Sequence, residues 1–408
     1  MKITPLLSLA LLAPLSGCDA LGLCDDPPPR DLTGGEPELE VLVEGNDAFA
    51  WELFDAVTAT HSDNVFFSPL SISAAFGMVY AGAAGNTATE LEQALAIGLE
   101  DDAWHGMFGK LIADLDTGKS CGPVELAIAN QVFAKEGFSF NQPYLDVLEL
   151  DYGAPLETFE DAASGVDLVN DWVDGETRGQ IPELLDEMSD STVLVLANAI
   201  YMKADWADPF DAELTSSDPF QLSNGAEVEV ETMHGTVEGS WGLVEGGQVV
   251  SLPYRGEELE MLLALPDEDV ALADFEVSLS ENGTPALVEG LASLDLVLSL
   301  PKFELRQRLD LLPLLTVLGV EDLFDPTAAD LSGIANTELF VDKAVHEAWV
   351  LVDEEGTEAA AATMATATPT SATPSVAVTF DRPFVFQVRD QVTGTVLFMG
   401  RVADPRSN

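Results

Sequence analysis

From Gly356 to Asp381 the chain carries no Lys or Arg, and beyond Glu358 its side chains up to Thr370 are almost all Ala or Thr. The run begins Asp353-Glu354-Glu355-Gly356-Thr357-Glu358-Ala359-Ala360-Ala361-Ala362-Thr363 and continues Met364-Ala365-Thr366-Ala367-Thr368-Pro369-Thr370-Ser371. It stands late in the sequence, between two apolar, strand-like blocks. Side chains alternate faces along a strand. One face would therefore carry Thr357, Ala359, Ala361, Thr363, Ala365 and Ala367, all small and uncharged. The other would carry Glu358, Ala360, Ala362, Met364, Thr366 and Thr368, with the single charge turned outward because an unpaired buried carboxylate is costly. Gly356 gives backbone freedom where the run starts. As a strand, residues 357–370 would reach roughly 45 Å at about 3.3 Å per residue. Such a segment can be an exposed loop in one state and a buried strand in another. A disordered Ala/Thr/Pro linker has similar composition, but a linker requires neither the Glu-Glu-Gly-Thr hinge nor a core hairpin after it.

The rest of the chain reads as one large domain. It has 408 residues, 47% of them hydrophobic, and nothing resembling a linker after about residue 40. Phe49, Leu53, Phe54 and Val57 recur at helical spacing, with Asn46 or Asp47 as the expected cap. Ser68-Pro69 opens a second helix that carries Ile72, Phe76 and Val79 inward and stops in the Gly82–Gly85 region. Val193–Tyr201 is apolar except for Asn198 and predicts a strand covered on both faces. Leu294–Leu300, Phe384–Val388 and Thr395–Met399 read as further strands, the last two joined by a turn ending at Gly394. Helices dominate the first half and strands the second, which gives an α+β class with large antiparallel-rich sheets.

Before that domain, residues 1–17 read as a signal peptide. Lys2 precedes the apolar run Ile3–Leu15, and Leu15-Ser16-Gly17-Cys18 resembles a lipoprotein cleavage box, with Cys18 as the lipidated residue; an ordinary secretory signal is the alternative. Both imply export. Residues 18–40, with Pro27-Pro28-Pro29, read as a flexible tether. Cys24 and Cys121 remain as a pair that could form a disulfide. The charge, 16 basic against 72 acidic residues and −56 net, excludes nucleic-acid binding and disfavours anionic lipid surfaces. Solubility or a salty habitat accounts for it. Contact with a membrane is expected only through an anchor on Cys18. A heparin-type activator is not expected, since Gly98–Ser120 offers only Lys110 and Lys119.

Seven ordered motifs carry a family resemblance over residues 41–406. They are Asn64-Val65-Phe66-Phe67-Ser68-Pro69-Leu70-Ser71-Ile72; Gly85-Asn86-Thr87-Ala88-Thr89-Glu90-Leu91; and Asn170-Asp171-Trp172-Val173 with Thr177, Gly179 and Ile181. Asn198-Ala199-Ile200-Tyr201 with Trp206 follows, then Pro301-Lys302-Phe303, Lys343-Ala344-Val345-His346 and Phe380-Asp381-Arg382-Pro383-Phe384-Val385-Phe386. In these the chain resembles the serpins. The resemblance implies three sheets, about nine helices and a reactive-centre loop at about residues 354–376, within a serpin domain of residues 41–408. It implies a monomer that a target serine protease attacks as substrate, after which the cleaved loop inserts into the central sheet and traps the acyl-enzyme. No cofactor or metal is implied.

By the family's usual count the scissile bond follows Thr370, making Thr370-Ser371 the reactive pair. The hinge-to-Pro383 stretch is about two residues longer than is common in the family, so Ala372 and Met364 stay open as cleavage points. A small β-branched residue there suits elastase-like or subtilisin-like enzymes, whereas trypsin-like enzymes need Lys or Arg. The resemblance makes Glu354, Glu355, Gly356, Thr357, Glu358, Ala359, Ala360, Ala361 and Ala362 the hinge. It groups Ser68, Ser71, Asn170, Asn198 and His346 beneath the point where strands part. It places Trp206, Lys302 and Glu354 at the top of the sheet, with a Glu354–Lys302 ion pair. An enzyme finds no support: there is no His-Glu-x-x-His, no Gly-x-Ser-x-Gly and no spaced Cys/His set. A non-inhibitory serpin, acting as a binding or storage module, is the remaining alternative.

Overall fold

A computed structural model describes residues 30–116, 124–357 and 375–406. The predicted reactive pair Thr370-Ser371, hinge residues Glu358 to Ala362, and Cys18, Cys24 and Cys121 lie outside the described residues. The helices are α1 (Pro37–Thr58), α2 (Pro69–Tyr80), α3 (Gly85–Ala94), α4 (Asp101–Leu115), α5 (Gln142–Leu150), α6 (Ala162–Glu176), α7 (Leu272–Val288) and α8 (Leu311–Val317). The strands are β1 (Val65–Phe67), β2 (Val124–Lys135), β3 (Glu157–Phe159), β4 (Leu194–Asp205), β5 (Ser216–Gln221), β6 (Glu227–Val244), β7 (Gly247–Pro253) and β8 (Leu259–Pro266). They continue with β9 (Ala292–Pro301), β10 (Phe303–Asp310), β11 (Val345–Val352), β12 (Gly356–Thr357), β13 (Ser375–Thr379), β14 (Phe384–Asp390) and β15 (Val396–Val402).

The central sheet has the order β10-β11-β12-β4-β2-β3. The other described strands join in one nine-stranded sheet. Three sheets were expected. They reduce to two hydrogen-bonded assemblies here because the long β6 pairs with β5 at its start, β9 along its middle and β7 at its end. Eight α-helices are described, and α7 consists of two helical pieces meeting at Gly283 (φ 70°), two residues before Pro285.

Strand β4 is covered on both faces, as its apolar run requires. Its even residues Leu194, Leu196, Ile200, Met202 and Ala204 join the main core. Val195, Ala197 and Ala199 instead pack under α6 with Val169, Val173 and Phe133. Helix α2 begins as its sequence predicts: Ser68 Oγ accepts the Ser71 amide at 3.2 Å, and Pro69 occupies the first turn. Ile72, Phe76 and Val79 are all buried.

The start of α1 corrects two expectations. Asn46 and Asp47 do not cap it. The helix begins at Pro37, with Glu38 and Glu40 in the first turn, where acidic residues complement the helix dipole. The apolar stripe also extends upstream through Leu39 and Leu42, both buried. The tether reading therefore fails for residues 30–40. Leu32 is buried, and the Arg30 guanidinium grips the Asp390 carboxylate bidentately, with bonds of 3.1 and 3.0 Å. Arg30 also pairs with Asp114, which accepts the Asp31 and Leu32 amides as well.

Asp114 and Asp390 are 2% and 0% exposed at the side chain, so removing Arg30 strands two buried carboxylates. Arg30→Met is expected to destabilise the protein by about 3 kcal/mol, read as a lower denaturant midpoint. An unchanged midpoint would mean that the segment is not docked.

Candidate functional site

The central sheet contains a seam. Strands β4 and β11 run parallel and pair directly at Glu347–Ala199, with a further bridge at Leu196–Ala344. Both contacts have the same offset of 148 residues (347 against 199, 344 against 196). Higher up, the two strands are separated by β12, the first two residues of the small-residue segment. Thr357 lies opposite Val352 on one side and Ala204 on the other, and 352 against 204 is again 148. The zipped and parted portions of the seam thus share one register.

Only glycine fits where the chain enters this slot. Gly356 has φ 152°, and a Cβ there would lie 2.1 Å from Ala204 O and 2.7 Å from Asp205 Cα. Thr357 turns inward, as the alternation predicts: it is buried, and its hydroxyl meets Tyr254 OH at 2.8 Å. The turn before it is pinned from several sides. Lys302 Nζ meets Glu354 Oε2 at 2.6 Å, and Thr215 Oγ1 donates to Glu354 Oε1 at 2.7 Å. Partial burial opposes the Glu354 charge, yet the bonds from Lys302 and Thr215 prevail and hold its carboxyl below the usual range. Trp206 stacks on Tyr254 with ring centroids 4.6 Å apart, and its Nε1 donates to Asp353 O at 3.0 Å. Its backbone amide donates to Glu355 O, and that of Phe210 to Glu354 O.

Below the hinge, polar groups cross the seam on its main-core side. Asn198 and His346 lie opposite each other, since 198 and 346 also differ by 148. Their side chains meet at 3.1 Å, His346 Nδ1 to Asn198 Oδ1. The Ser68 amide donates to His346 Nε2 at 3.1 Å, so the proton of the neutral ring sits on Nδ1 and is donated to Asn198. The Asn198 amide gives its two protons to Ser71 O (2.7 Å) and Asn130 Oδ1 (2.6 Å). Ser68 Oγ donates to Leu397 O, tying the start of α2 to β15. The buried asparagine in an apolar strand is thereby fully bonded.

Asn170 does not belong to this cluster, contrary to expectation. It sits on α6, on the opposite face of the sheet, where Oδ1 accepts the Leu184 and Leu185 amides and Nδ2 donates to Leu185 O. Its side chain shapes the loop after α6 rather than the seam. Asn130 is the member that sequence reading missed. The signal was a polar residue inside the strand-like run Leu126–Phe133, but only the β2–β4 register puts it beside Asn198. Thr215 and Tyr254 carried no such signal.

Comparison with known proteins agrees with this geometry. A model of the family described as serpin (serine protease inhibitor) matches residues 44–405. The leukocyte elastase inhibitor of Homo sapiens is 36% identical over 382 residues, covering 90% of this chain and 100% of that protein. Among solved structures, a highly specific serpin of the insect Tenebrio molitor superposes with a TM-score of 0.80 at 27% identity, covering 91% of this chain and 100% of that one. Thyroxine-binding globulin in complex with thyroxine gives 0.79 at 27% identity, over 90% and 99% of the two chains. Fold and sequence together define a protease-inhibitor class. The chain belongs to the serpin family.

Burial lowers the His346 pKa to about 3 from its ordinary 6.5, because a charged imidazolium loses its hydration in this closed site. The unfolded chain takes up this proton below about pH 6.5 and the native state does not, so native stability falls with pH between about 6.5 and 3. The slope is on the order of 1 kcal/mol per pH unit. His346→Asn should show a shallower loss over that range in denaturant titrations; parallel curves would rule the effect out.

Proposed function

We propose that the protein is a suicide-substrate inhibitor of serine proteases with small apolar specificity, elastase-like or subtilisin-like. The protease's serine Oγ bonds to the Thr370 carbonyl carbon and the Thr370–Ser371 amide breaks. The amine of Ser371 leaves with the serine's proton. The freed arm then enters the seam between β4 and β11 before water reaches the ester.

The observation that carries this reading is the unbroken register of the seam. With Thr357 already between Ala204 and Val352, each later residue has an assigned place, and no strand needs to slide. Glu358 would fall beside Lys203 and Leu351, its charge next to a cation. Thr363 would arrive between Asn198 and His346, where its hydroxyl can donate to one and accept from the other as their direct bond parts. Odd-numbered residues of the arm would meet the main core and are all small. The elastase inhibitor named above supports the target class, and the lack of Lys and Arg from Gly356 to Asp381 argues against trypsin-like targets. On the same reading the chain is exported, with Cys18 as a lipid anchor; the Ile3–Leu15 run and the cysteine box support this.

Mixing the protein with pancreatic elastase or subtilisin should yield a complex that survives SDS, whereas trypsin should yield none. Cleavage without complex would instead identify a non-inhibitory serpin. Thr363→Arg would put a guanidinium against the neutral His346. It is expected to leave cleavage intact while lowering complex yield at least about tenfold, corresponding to 1.4 kcal/mol. Undiminished complex yield would refute this placement.

A further inference from the structure

The lower seam is flanked by a cavity of about 310 Å³, lined by Leu184, Leu185, Met188, Val195 and Val345 with Lys343 at its edge. Its walls come from both sides of the seam. Val195 stands on β4 and Val345 on β11, beside the bridge at Leu196–Ala344. The segment after α6 spans the seam over the cavity: Asn170 of α6 binds the Leu184 and Leu185 amides, and Arg308 of β10 donates to Leu184 O at 2.7 Å. Lys343 Nζ meets Glu187 O at 3.3 Å. Glu187 and Asp342 also line the edge, but neither carboxylate pairs with Lys343, and Asp342 lies 3.5 Å from the Thr192 hydroxyl instead. In a chain with 16 basic against 72 acidic residues, this ammonium stands at an apolar opening without an ion pair among the described residues.

We propose that this cavity binds a small aliphatic molecule with a single anionic head, and that such a ligand holds the seam shut. The lining sets the chemistry. Its apolar part contains no aromatic ring, so it suits an alkyl tail and offers no ring face for stacking. Lys343 keeps two N–H donors for an anion at the opening. A dry apolar cavity of roughly 150 Å³ takes one benzene, so this one has room for about twelve heavy atoms, the size of decanoate. The effect on the seam rests on the insertion reading above. A strand entering between β4 and β11 would move them apart by about 4.8 Å and carry Val195 away from Val345. The full set of walls exists only while the two strands are adjacent, and a ligand that binds the closed form alone favours that form. It would slow the arm's entry, leave more time for deacylation and turn the inhibitor towards a substrate.

The test titrates the full-length protein with decanoate in a calorimeter. Lys343→Gln should weaken binding about fivefold, and Met188→Trp, which fills the cavity, should abolish it. The neutral 1-decanol should bind wild type and Lys343→Gln alike. Because Lys343 lies at the edge, its substitution tests the site independently of how the interior tolerates a larger ring. No binding of decanoate, or equal affinity for wild type and either variant, would overturn the site. Protein already clipped by subtilisin should bind decanoate at least about tenfold more weakly than native protein. With subtilisin as target, saturating decanoate should raise the ratio of cleaved product to SDS-stable complex about fivefold in wild type and leave it unchanged in Met188→Trp, with subtilisin alone in decanoate as the control. Equal affinity for clipped and native protein, or an unchanged product ratio, would overturn the hold on the seam while the site stands. If no SDS-stable complex forms even without decanoate, the insertion reading falls and the hold on the seam with it, whereas the site is still decided by the titration.

Discussion

The hydrogen bond between Asn198 and His346 holds the centre of this structure together. It joins two parallel strands at the level where an incoming strand would have to separate them. It also fixes which imidazole nitrogen carries the proton, because the Ser68 amide occupies the other. Through Ser68 and Ser71 the same contact reaches the start of α2, and through Ser68 Oγ it reaches β15. A few neutral hydrogen bonds, each worth about 1 kcal/mol net, thus bind sheet, helix and rear hairpin. They hold the seam shut, and on the insertion reading proposed above they are weak enough to be exchanged for equivalent ones.

The electrostatic pattern follows from scarcity. With 16 cations against 72 acids, each basic residue has many possible partners, and several are spent on structural joints. Arg30 joins the N-terminal segment to α4 and to the end of β14. Arg401 on β15 pairs with buried Glu276 on α7 at 3.0 Å. Lys302 secures the hinge turn. These joints are shielded from salt by burial or by additional hydrogen bonds, unlike exposed pairs, so the acidic surface can change its screening without loosening them.

Local patterns in the sequence disclosed the elements that local forces decide. Ser68-Pro69 marked the start of α2, the apolar Val193–Tyr201 run marked a doubly covered strand, and Gly394 marked the turn of the last hairpin. The alternation from Thr357 gave the right inward face at its first residue. Long-range pairing stayed hidden. Nothing in the neighbourhood of Arg30 points to Asp390, and the polarity of residues 18–40 concealed an apolar stripe that already begins at Leu32. Motif order suggested that Asn170 shared a site with Asn198, yet a sheet lies between them. Asn130 was passed over because its partner depends on a strand register. The glycine at position 356 was read as a source of freedom, whereas the backbone of Ala204 and Asp205 leaves no room for any side chain there.

That close fit has a kinetic meaning. Adding a strand to a sheet resembles other cooperative ordering processes, in which the first contacts fix several dihedrals for little return and later ones come more easily. Gly356 and Thr357 are seated between their neighbours beforehand. On the insertion reading proposed above, the slow opening move is then already made, and what remains is elongation, which a reaction relieved of its nucleation lag would need in order to outpace the deacylating attack of water.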